Sequence, residues 1–139
     1  MNYLLDTCLI SELLKKEPNP AVMAWLDAQD EQTLFLSVLN LGELQKGISK
    51  LAKGTKQEEL QAWVSHDLAE RFSGRILTVD QETALCWGRL QGDAERRGEK
   101  LPVMDSMIAA SAAVHGMSVV TRNTKDLERC GVQVCNPWE

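Results

Sequence analysis

The sequence predicts an α/β fold built around a parallel sheet. Short apolar runs alternate along the chain with longer segments in which apolar residues recur every three or four positions, the spacing of one helix face. Parallel strands need crossover connections, usually helices, so this alternation indicates a sheet covered on both faces. The 139 residues suit one core, and no repeat, linker or low-complexity tract interrupts them. We therefore expect a single domain that spans residues 1–139.

Five short apolar runs predict the strands. Asn2 to Leu5 forms the first run, which ends at an Asp-Thr pair and which we expect at the centre of the sheet. Thr33 to Ser37 is rich in strand-forming residues and follows a polar run, so it predicts the second strand. The predicted strands are residues 2–5, 33–37, 75–79, 118–121 and 132–135.

The segments between these strands predict helices. Pro18 to Pro20 ends the first helix, because proline disfavours helical geometry in the residue before it, and Pro20 suits the first turn of the next helix. Ser37 and Asp80 are favourable N-caps, while Gly54 suits a helix end. The predicted helices are residues 8–16, 21–29, 38–54, 56–73, 81–98 and 103–115, with a helical turn at 126–129.

Composition and charge narrow the class of protein. The content of 44% hydrophobic and 25% charged residues is ordinary for a globular domain, and no apolar run approaches the roughly 18 residues that span a bilayer. The apolar N-terminal stretch has no basic segment before it and no small-residue cleavage site, so we expect no signal peptide, no membrane partner and a cytoplasmic location. The net charge of −5 argues against strong non-specific binding to nucleic acid but does not exclude a nucleic-acid substrate.

Several common kinds of site have no basis in the sequence. The four cysteines form no CxxC pair and only two histidines are present, a poor inventory for zinc. Without a secretory signal we expect the cysteines to be free, small, buried hydrophobic residues. No GxxxxGK[ST] or GxGxxG motif appears, so nucleotide-binding classes are not indicated. A phosphatase of the haloacid-dehalogenase type would need a second Asp two residues after Asp6, where Cys8 stands.

Three acidic residues are predicted at one edge of the sheet. Asp6 follows the first strand, Glu43 lies early in the helix after the second strand, and Asp126 closes the loop after the fourth. Ligands of open parallel sheets bind outside the carboxyl ends of the strands, which is this edge. Asp105 begins a helix that leads into a strand, so a simple crossover would place it at the opposite edge. Each acid alone is also explained as a helix cap, a turn residue or a surface residue.

A cluster of these carboxylates predicts a metal site. Carboxylates held together repel one another and burial raises their pKa values, so an empty cluster is costly. Mg²⁺ or Mn²⁺ removes that cost and typically takes one or two carboxylates together with waters and phosphate oxygens. Such an ion activates water for in-line attack on a phosphodiester. Thr7 and Asn123 would supply neutral hydrogen bonds around it.

Four stretches of the chain, taken in order, resemble a known family. They are YLLDT, SVLNLGELQKGI, LPVMDSMIAASAAVHG and VVTRNTKDLE. They resemble the PIN domain and, more narrowly, the VapC-type ribonuclease toxins of bacterial toxin–antitoxin pairs, over essentially the entire chain. The resemblance implies a three-layer PIN-like fold with a five-stranded parallel sheet flanked by helices, and a Mg²⁺- or Mn²⁺-dependent endoribonuclease. It also implies that the N-terminus of the helix carrying Asp105 reaches the site.

The resemblance assigns roles to individual residues. Asp6 and Asp105 match the principal metal ligands, and Glu43 matches the second acidic motif. The fourth position stays open between Asn123 and Asp126. We expect Asn123 to contact metal-bound water or phosphate and Asp126 to contribute more weakly. The predicted catalytic set is Asp6, Glu43, Asp105 and Asp126, with Thr7 and Asn123 in support.

The resemblance also implies partners. An RNA substrate, a homodimer and a cognate antitoxin are expected, and the helices from Leu44 to Leu68, with Trp63, offer an apolar surface for an amphipathic antitoxin helix. Taken one at a time, the same residues are better explained as core. A basic rim for RNA is offered by arginines that are also explained as solvated surface: Arg89, Arg96, Arg97 and Arg122.

The main alternative is a catalytically silent PIN-fold binding or scaffold module. Such a module needs no acidic cluster, so the presence of Asp6, Glu43 and Asp105 favours the enzyme.

Overall fold

One sheet of five parallel strands organises the chain. The computed structural model describes every residue from Met1 to Glu139. The strands are β1 (Tyr3–Leu5), β2 (Leu34–Ser37), β3 (Ile76–Leu77), β4 (Ser118–Val120) and β5 (Val134–Cys135). They pair in the order β3–β2–β1–β4–β5, with every neighbouring pair parallel. The predicted α/β fold and the central position of the first strand are confirmed.

Helices connect the strands as the sequence predicts. The helices are α1 (Thr7–Glu12), α2 (Pro20–Asp27), α3 (Val38–Ser49), α4 (Thr55–Ala62), a π-helical segment (Trp63–Leu68), α5 (Ala69–Arg71), α6 (Gln81–Arg96), α7 (Val103–His115) and α8 (Thr124–Glu128). Ser37 and Asp80 cap α3 and α6 as expected, and Gly116 ends α7 at φ 65°, a left-handed conformation that favours glycine. No helix is both long and apolar enough to cross a membrane.

The two faces of the sheet bury separate apolar clusters. Leu5 packs in a cluster with residues of the helices between Thr7 and Phe72, whereas Leu4 packs in a second cluster with residues of α6, α7 and α8. Successive residues of a strand point to opposite faces, so adjacent leucines serve different layers. The sheet is therefore covered on both sides, in three layers.

Several predicted boundaries are wrong. The third helix ends at Ser49 and not at Gly54, because the Gln57 side chain donates to the carbonyls of Ile48 and Leu51 and so satisfies groups that a continuing helix would use. The first helix stops at Glu12 and not at residue 16. The third and fifth strands have two residues each, fewer than predicted.

The packed face of α6 is partly polar. Leu85, in the first half of this helix, is 55% exposed. The face turned toward α7 carries Trp87 and Gln91, whose side chains donate to the Ser106 hydroxyl at 3.0 and 2.8 Å. These polar contacts tie the middle of α6 to the first turn of α7.

An antiparallel pair of helices resolves the position of Asp105. Gln91 in α6 donates to the carbonyl of Leu101, just before α7, and Trp87, one turn earlier in α6, donates to Ser106, one turn later in the chain. The connection from β3 to β4 therefore runs up α6 and back down α7. This hairpin returns the first turn of α7 to the carboxyl edge of the sheet, where a simple crossover would not place it.

The strand order reverses direction between β1 and β4. The chain leaving β1 continues toward β2 on one side, and the chain leaving β4 continues toward β5 on the other. The diverging connections leave a crevice at the carboxyl ends of these two strands, which is the usual place for a ligand in such sheets.

Candidate functional site

Asp6 lies at this crevice and is fixed by both central strands. Its backbone N–H donates to the Val120 carbonyl at 2.9 Å, and its side chain is 9% exposed. Oδ1 accepts the Thr7 N–H at 2.9 Å, and Oδ2 accepts the Thr121 hydroxyl at 2.8 Å. Asp6 is thus the N-cap of α1 and also a member of the crevice.

Glu43 reaches the same place from α3. Its Oε1 accepts the Thr7 hydroxyl at 2.6 Å, and that hydroxyl in turn accepts from Asn40 Nδ2 at 3.0 Å. Asn40 Oδ1 accepts the Ser37 N–H at 2.8 Å, which closes the capping box of α3. The start of α3 is therefore bonded to the start of α1, and Thr7 stands between two acidic residues.

Asp105 occupies the first turn of α7 and is half-buried. Burial raises the pKa of its carboxyl group, and the charges of Asp6, Asp126 and Glu43 raise it further. A hydrogen bond of 3.1 Å from Asn123 Nδ2 acts in the opposite direction. The carboxylate thus faces the negative charge of three neighbouring acids, which is the cost expected of an acidic cluster that binds a cation.

Asn123 is hydrogen-bonded to Asp105 and to Asp126, the last of the predicted acids. Its amide donates to Asp105 and, at 3.3 Å, to Asp126 Oδ2. The other Asp126 oxygen accepts from Arg129 at 3.2 Å. Asp126 therefore stands behind Asn123 and already has a cationic partner.

The geometry brings five of the six predicted residues to one open depression of about 400 Å³. Its lining residues are Asp6, Thr7, Cys8, Glu43, Asp105, Arg122 and Asn123. Asp126 does not line it. Arg122 is the one lining residue among the four predicted basic-rim arginines, and Arg97 lines a separate depression with Arg129.

The donor set suits a cation that keeps part of its water shell. No three acidic, histidine or cysteine side chains converge closely enough to enclose an ion by themselves. Mg²⁺ retains several waters and is commonly held by one or two carboxylates, so two acids that line an open depression meet its needs. The raised pKa of Asp105 points the same way, because a cation would offset the repulsion that raises it.

Sequence reasoning did not single out three polar residues of this site. Thr121, the residue after β4, orients Asp6, and Asn40 orients Thr7. Asn40 had a detectable signal, because it lies three residues after the cap Ser37. Cys8 was noted only as departing from a phosphatase motif. All four cysteines are free but only Cys130 is fully buried, and burial raises the pKa of the Cys8 thiol, so it is a poor ligand at neutral pH.

Fold and site together define a class of α/β protein with an acidic crevice at the switch point of a five-stranded parallel sheet. The family model of the PIN domain matches residues 3–132. The chain therefore belongs to the PIN-domain family, and within it to the group that contains VapC and FitB proteins.

The similarity to individual relatives extends over almost the full chain. The chain is 37% identical to the VapC ribonuclease Y4jK of Sinorhizobium fredii, over 97% of this chain and 96% of the relative. It is 36% identical to Toxin FitB of Neisseria gonorrhoeae, over 97% of each. The crystal structure of FitAcB from Neisseria gonorrhoeae superposes with a TM-score of 0.92 at 35% identity, over 99% of both chains.

Proposed function

We propose that this chain is a divalent-metal-dependent endoribonuclease that acts as the toxin of a toxin–antitoxin pair. The observation that carries the proposal is the convergence of Asp6, Glu43 and Asp105 on one depression from three separate elements. A scaffold has no use for like charges held together at the cost that the raised pKa of Asp105 reflects. A ribonuclease among the full-length relatives supports the same reading.

Asp6 and Asp105 are the residues that would hold the metal. Both line the depression and come from different elements, one after β1 and one at the start of α7. When bound, Mg²⁺ or Mn²⁺ lowers the pKa of its water and stabilises charge on phosphate oxygens. Oxygen ligands favour either of these ions over softer metals.

The remaining residues position substrate and protons. Thr7 fixes Glu43 Oε1, while Glu43 Oε2 has no donor in the chain and is free to orient or accept a proton from an attacking water. The Asn123 amide lies beside Asp105 and can turn toward a phosphate oxygen or a metal-bound water. Asp126 acts through Asn123, because it does not reach the depression.

The proposed antitoxin partner has a suitable receiving surface. An apolar groove of about 280 Å³ runs beside Glu43 between α1, α3 and α4, and it contains Leu14, Leu51, Leu60 and Trp63. Its apolar lining suits the apolar face of an amphipathic helix, and a toxin of this fold is among the relatives. The prediction that these helices carry this surface is kept, together with the predictions of a homodimer and a cytoplasmic location.

Cleavage of RNA tests the proposal directly. Wild-type protein is incubated with structured RNA and Mg²⁺ or Mn²⁺, with EDTA as the metal-free control. Asp6→Ala and Asp105→Ala are expected to abolish cleavage, whereas Asp27→Ala, which removes an exposed acid at the end of α2, is expected to keep it. Melting curves of all variants verify that each is folded.

Two results would contradict the proposal. RNA cleavage by the Asp6→Ala or the Asp105→Ala variant would contradict the assigned mechanism. Absence of cleavage of any RNA pool by folded wild-type protein, with either metal, would favour the silent scaffold.

A further inference from the structure

Arg122 is an unusual member of the acidic depression. It is the only basic residue in its lining, yet it forms no ion pair with Asp6, Glu43 or Asp105. Instead its Nη2 donates to Glu12 at 3.2 Å, and its guanidinium lies 4.6 Å from the centroid of the Trp138 ring. Its side chain remains 56% exposed. The cation is thus held at the rim and kept out of the carboxylate cluster.

Glu12 and Trp138 form a rigid brace for this arginine. Glu12 is 3% exposed, and its Oε1 accepts from the Trp138 indole N–H at 3.0 Å as well as from Arg122. The hydrogen bond from Trp138 is the largest of the effects that lower the pKa of Glu12, so the residue carries a negative charge at neutral pH. An arginine that lies over an aromatic ring and donates to a buried carboxylate is restrained in position.

Glu12 does not depend on Arg122 for its own compensation. Lys15 Nζ and the backbone N–H of Asn19 also donate to it, each at 3.2 Å. Arg122 is therefore not needed to compensate the charge of Glu12. Its Nε and Nη1 groups have no acceptor in the chain, and Nη2 carries a second hydrogen, so one two-donor edge that pairs Nη2 with Nε or with Nη1 is free.

We propose that Arg122, held by Glu12 and Trp138, binds a backbone phosphate of the RNA at the rim of the depression. A phosphodiester approaching three acids needs positive charge from the protein, and Arg122 is the one lining residue that supplies it. Its free edge offers the paired N–H groups that suit phosphate oxygens. Glu12 and Trp138 are positioning residues that act through Arg122. This inference rests on the proposed function, because it takes RNA as the substrate.

A metal-free binding measurement isolates this contact from cleavage. A short fluorescein-labelled single-stranded RNA of mixed sequence is titrated by anisotropy in EDTA over a series of salt concentrations. Arg122→Ala is expected to weaken binding about tenfold and to reduce the salt slope by about 0.7, the value for one phosphate contact on a single strand. Arg122→Lys restores part of both, because it keeps the charge without the planar fork.

Arg71→Ala is the matched control. Arg71 is also bonded to a glutamate, Glu31 at 2.8 Å, and also lies over a ring, that of Phe72 at 5.3 Å. It differs in place, because Glu31 precedes β2 and so lies at the amino edge of the sheet. This variant is expected to keep the affinity and the salt slope of wild-type protein.

The positioning role has its own readout. In cleavage assays with metal, Glu12→Gln and Trp138→Phe are expected to raise KM for RNA several-fold and to leave kcat close to wild type. A brace that only stabilises the fold would lower the melting temperature and leave KM unchanged.

The possible results distinguish failure of the proposed role of Arg122 from failure of the proposed ribonuclease function. Affinity and salt slope unchanged in Arg122→Ala would overturn the inference and leave the ribonuclease proposal standing. Wild-type protein that cleaves RNA with metal but does not bind it in EDTA would have the same consequence. Wild-type protein that neither binds nor cleaves RNA would overturn the proposed function.

Discussion

Glu12 is buried and Asp105 is half-buried, but the two acids have opposite electrostatic surroundings. Glu12 accepts from an indole, a backbone N–H, a lysine and an arginine, and the first three of these contacts lower its pKa despite burial. Asp105 accepts one amide hydrogen bond and faces three other carboxylates, and its pKa is raised. One acid is fully compensated by the fold and the other is not.

The difference indicates which acid is part of the structure and which awaits a ligand. A buried charge is tolerated when donors surround it, so Glu12 needs nothing from outside the chain. Asp105 is left with repulsion that only a cation or a proton removes. Burial of an acidic side chain is therefore a poor guide to function by itself, whereas missing compensation at a sheet switch point is a good one.

Removing the charge of each acid separates the two roles most strongly. Asp105→Asn is expected to lower the rate of RNA cleavage by at least about a thousandfold, because metal coordination contributes several kcal/mol to catalysis. Glu12→Gln is expected to retain a kcat near wild type but to lower the melting temperature by several degrees, since a compensated charge and one acceptor for Asn19 are lost. Single-turnover cleavage and thermal melts of both variants check this. Equal effects of the two substitutions on kcat would contradict the assignment of different roles to Asp105 and Glu12.

The neighbours of Asp105 extend the comparison to smaller effects. Asn123→Ala is expected to lower the cleavage rate about tenfold, the cost of roughly one hydrogen bond to a charged group. Asp126→Ala is expected to have a smaller effect, because Arg129 already holds Asp126 outside the depression. Parallel rate measurements rank the two residues. A larger loss in Asp126→Ala would make Asp126 the fourth site residue.

The smallest expected effect is the dependence of the free energy of unfolding on pH, and the pKa of Asp105 determines its sign. The folded-state pKa of Asp105 lies above its ordinary value of 3.8, so the folded protein binds more protons in the interval between the two values. Wild-type stability therefore falls as pH rises through that interval. In EDTA at neutral pH, Asp105→Asn is expected to be more stable than wild type by no more than about 1 kcal/mol, because water screens a half-exposed carboxylate.

Melting curves as a function of pH check this sign. The difference between wild type and Asp105→Asn should shrink as pH falls toward and below 3.8. Glu12 should behave in the opposite sense, because its pKa is lowered in the folded state. The stability that its charge contributes is present above its ordinary value of 4.5 and is lost as pH falls through the folded-state pKa. A wild-type protein more stable than Asp105→Asn at neutral pH would contradict the account.

Local patterns predicted the elements and part of the site. Asp6 follows a short buried strand, and Glu43 follows a capped helix start, so both were placed at the carboxyl edge from sequence alone. These inferences needed only neighbouring residues. The antiparallel α6–α7 hairpin is a tertiary feature, and the pattern placed Asp105 at the wrong edge without it. Family resemblance supplied that position.

The brace around Arg122 was beyond sequence reasoning for the same reason. Glu12 bonds to a residue 110 positions away and to another 126 positions away. No local pattern marks such a contact, and nothing in the sequence distinguishes Glu12 from the other polar residues near the end of the first helix. Asp126 accepts from Arg129, three residues along the same helix, and lies outside the depression, whereas Arg122 is the one predicted rim arginine inside it.

The central claim is that Asp6 and Asp105 bind the same metal ion. Its most direct test is a Mn²⁺ titration, followed by the electron paramagnetic resonance signal of free Mn²⁺, of wild type, Asp6→Asn, Asp105→Asn and the double variant. Shared ligation predicts that each single change removes most of the affinity and that the double variant loses little more, because the two effects are not additive. Single variants that each retain binding, with losses that multiply in the double variant, would contradict a shared ion.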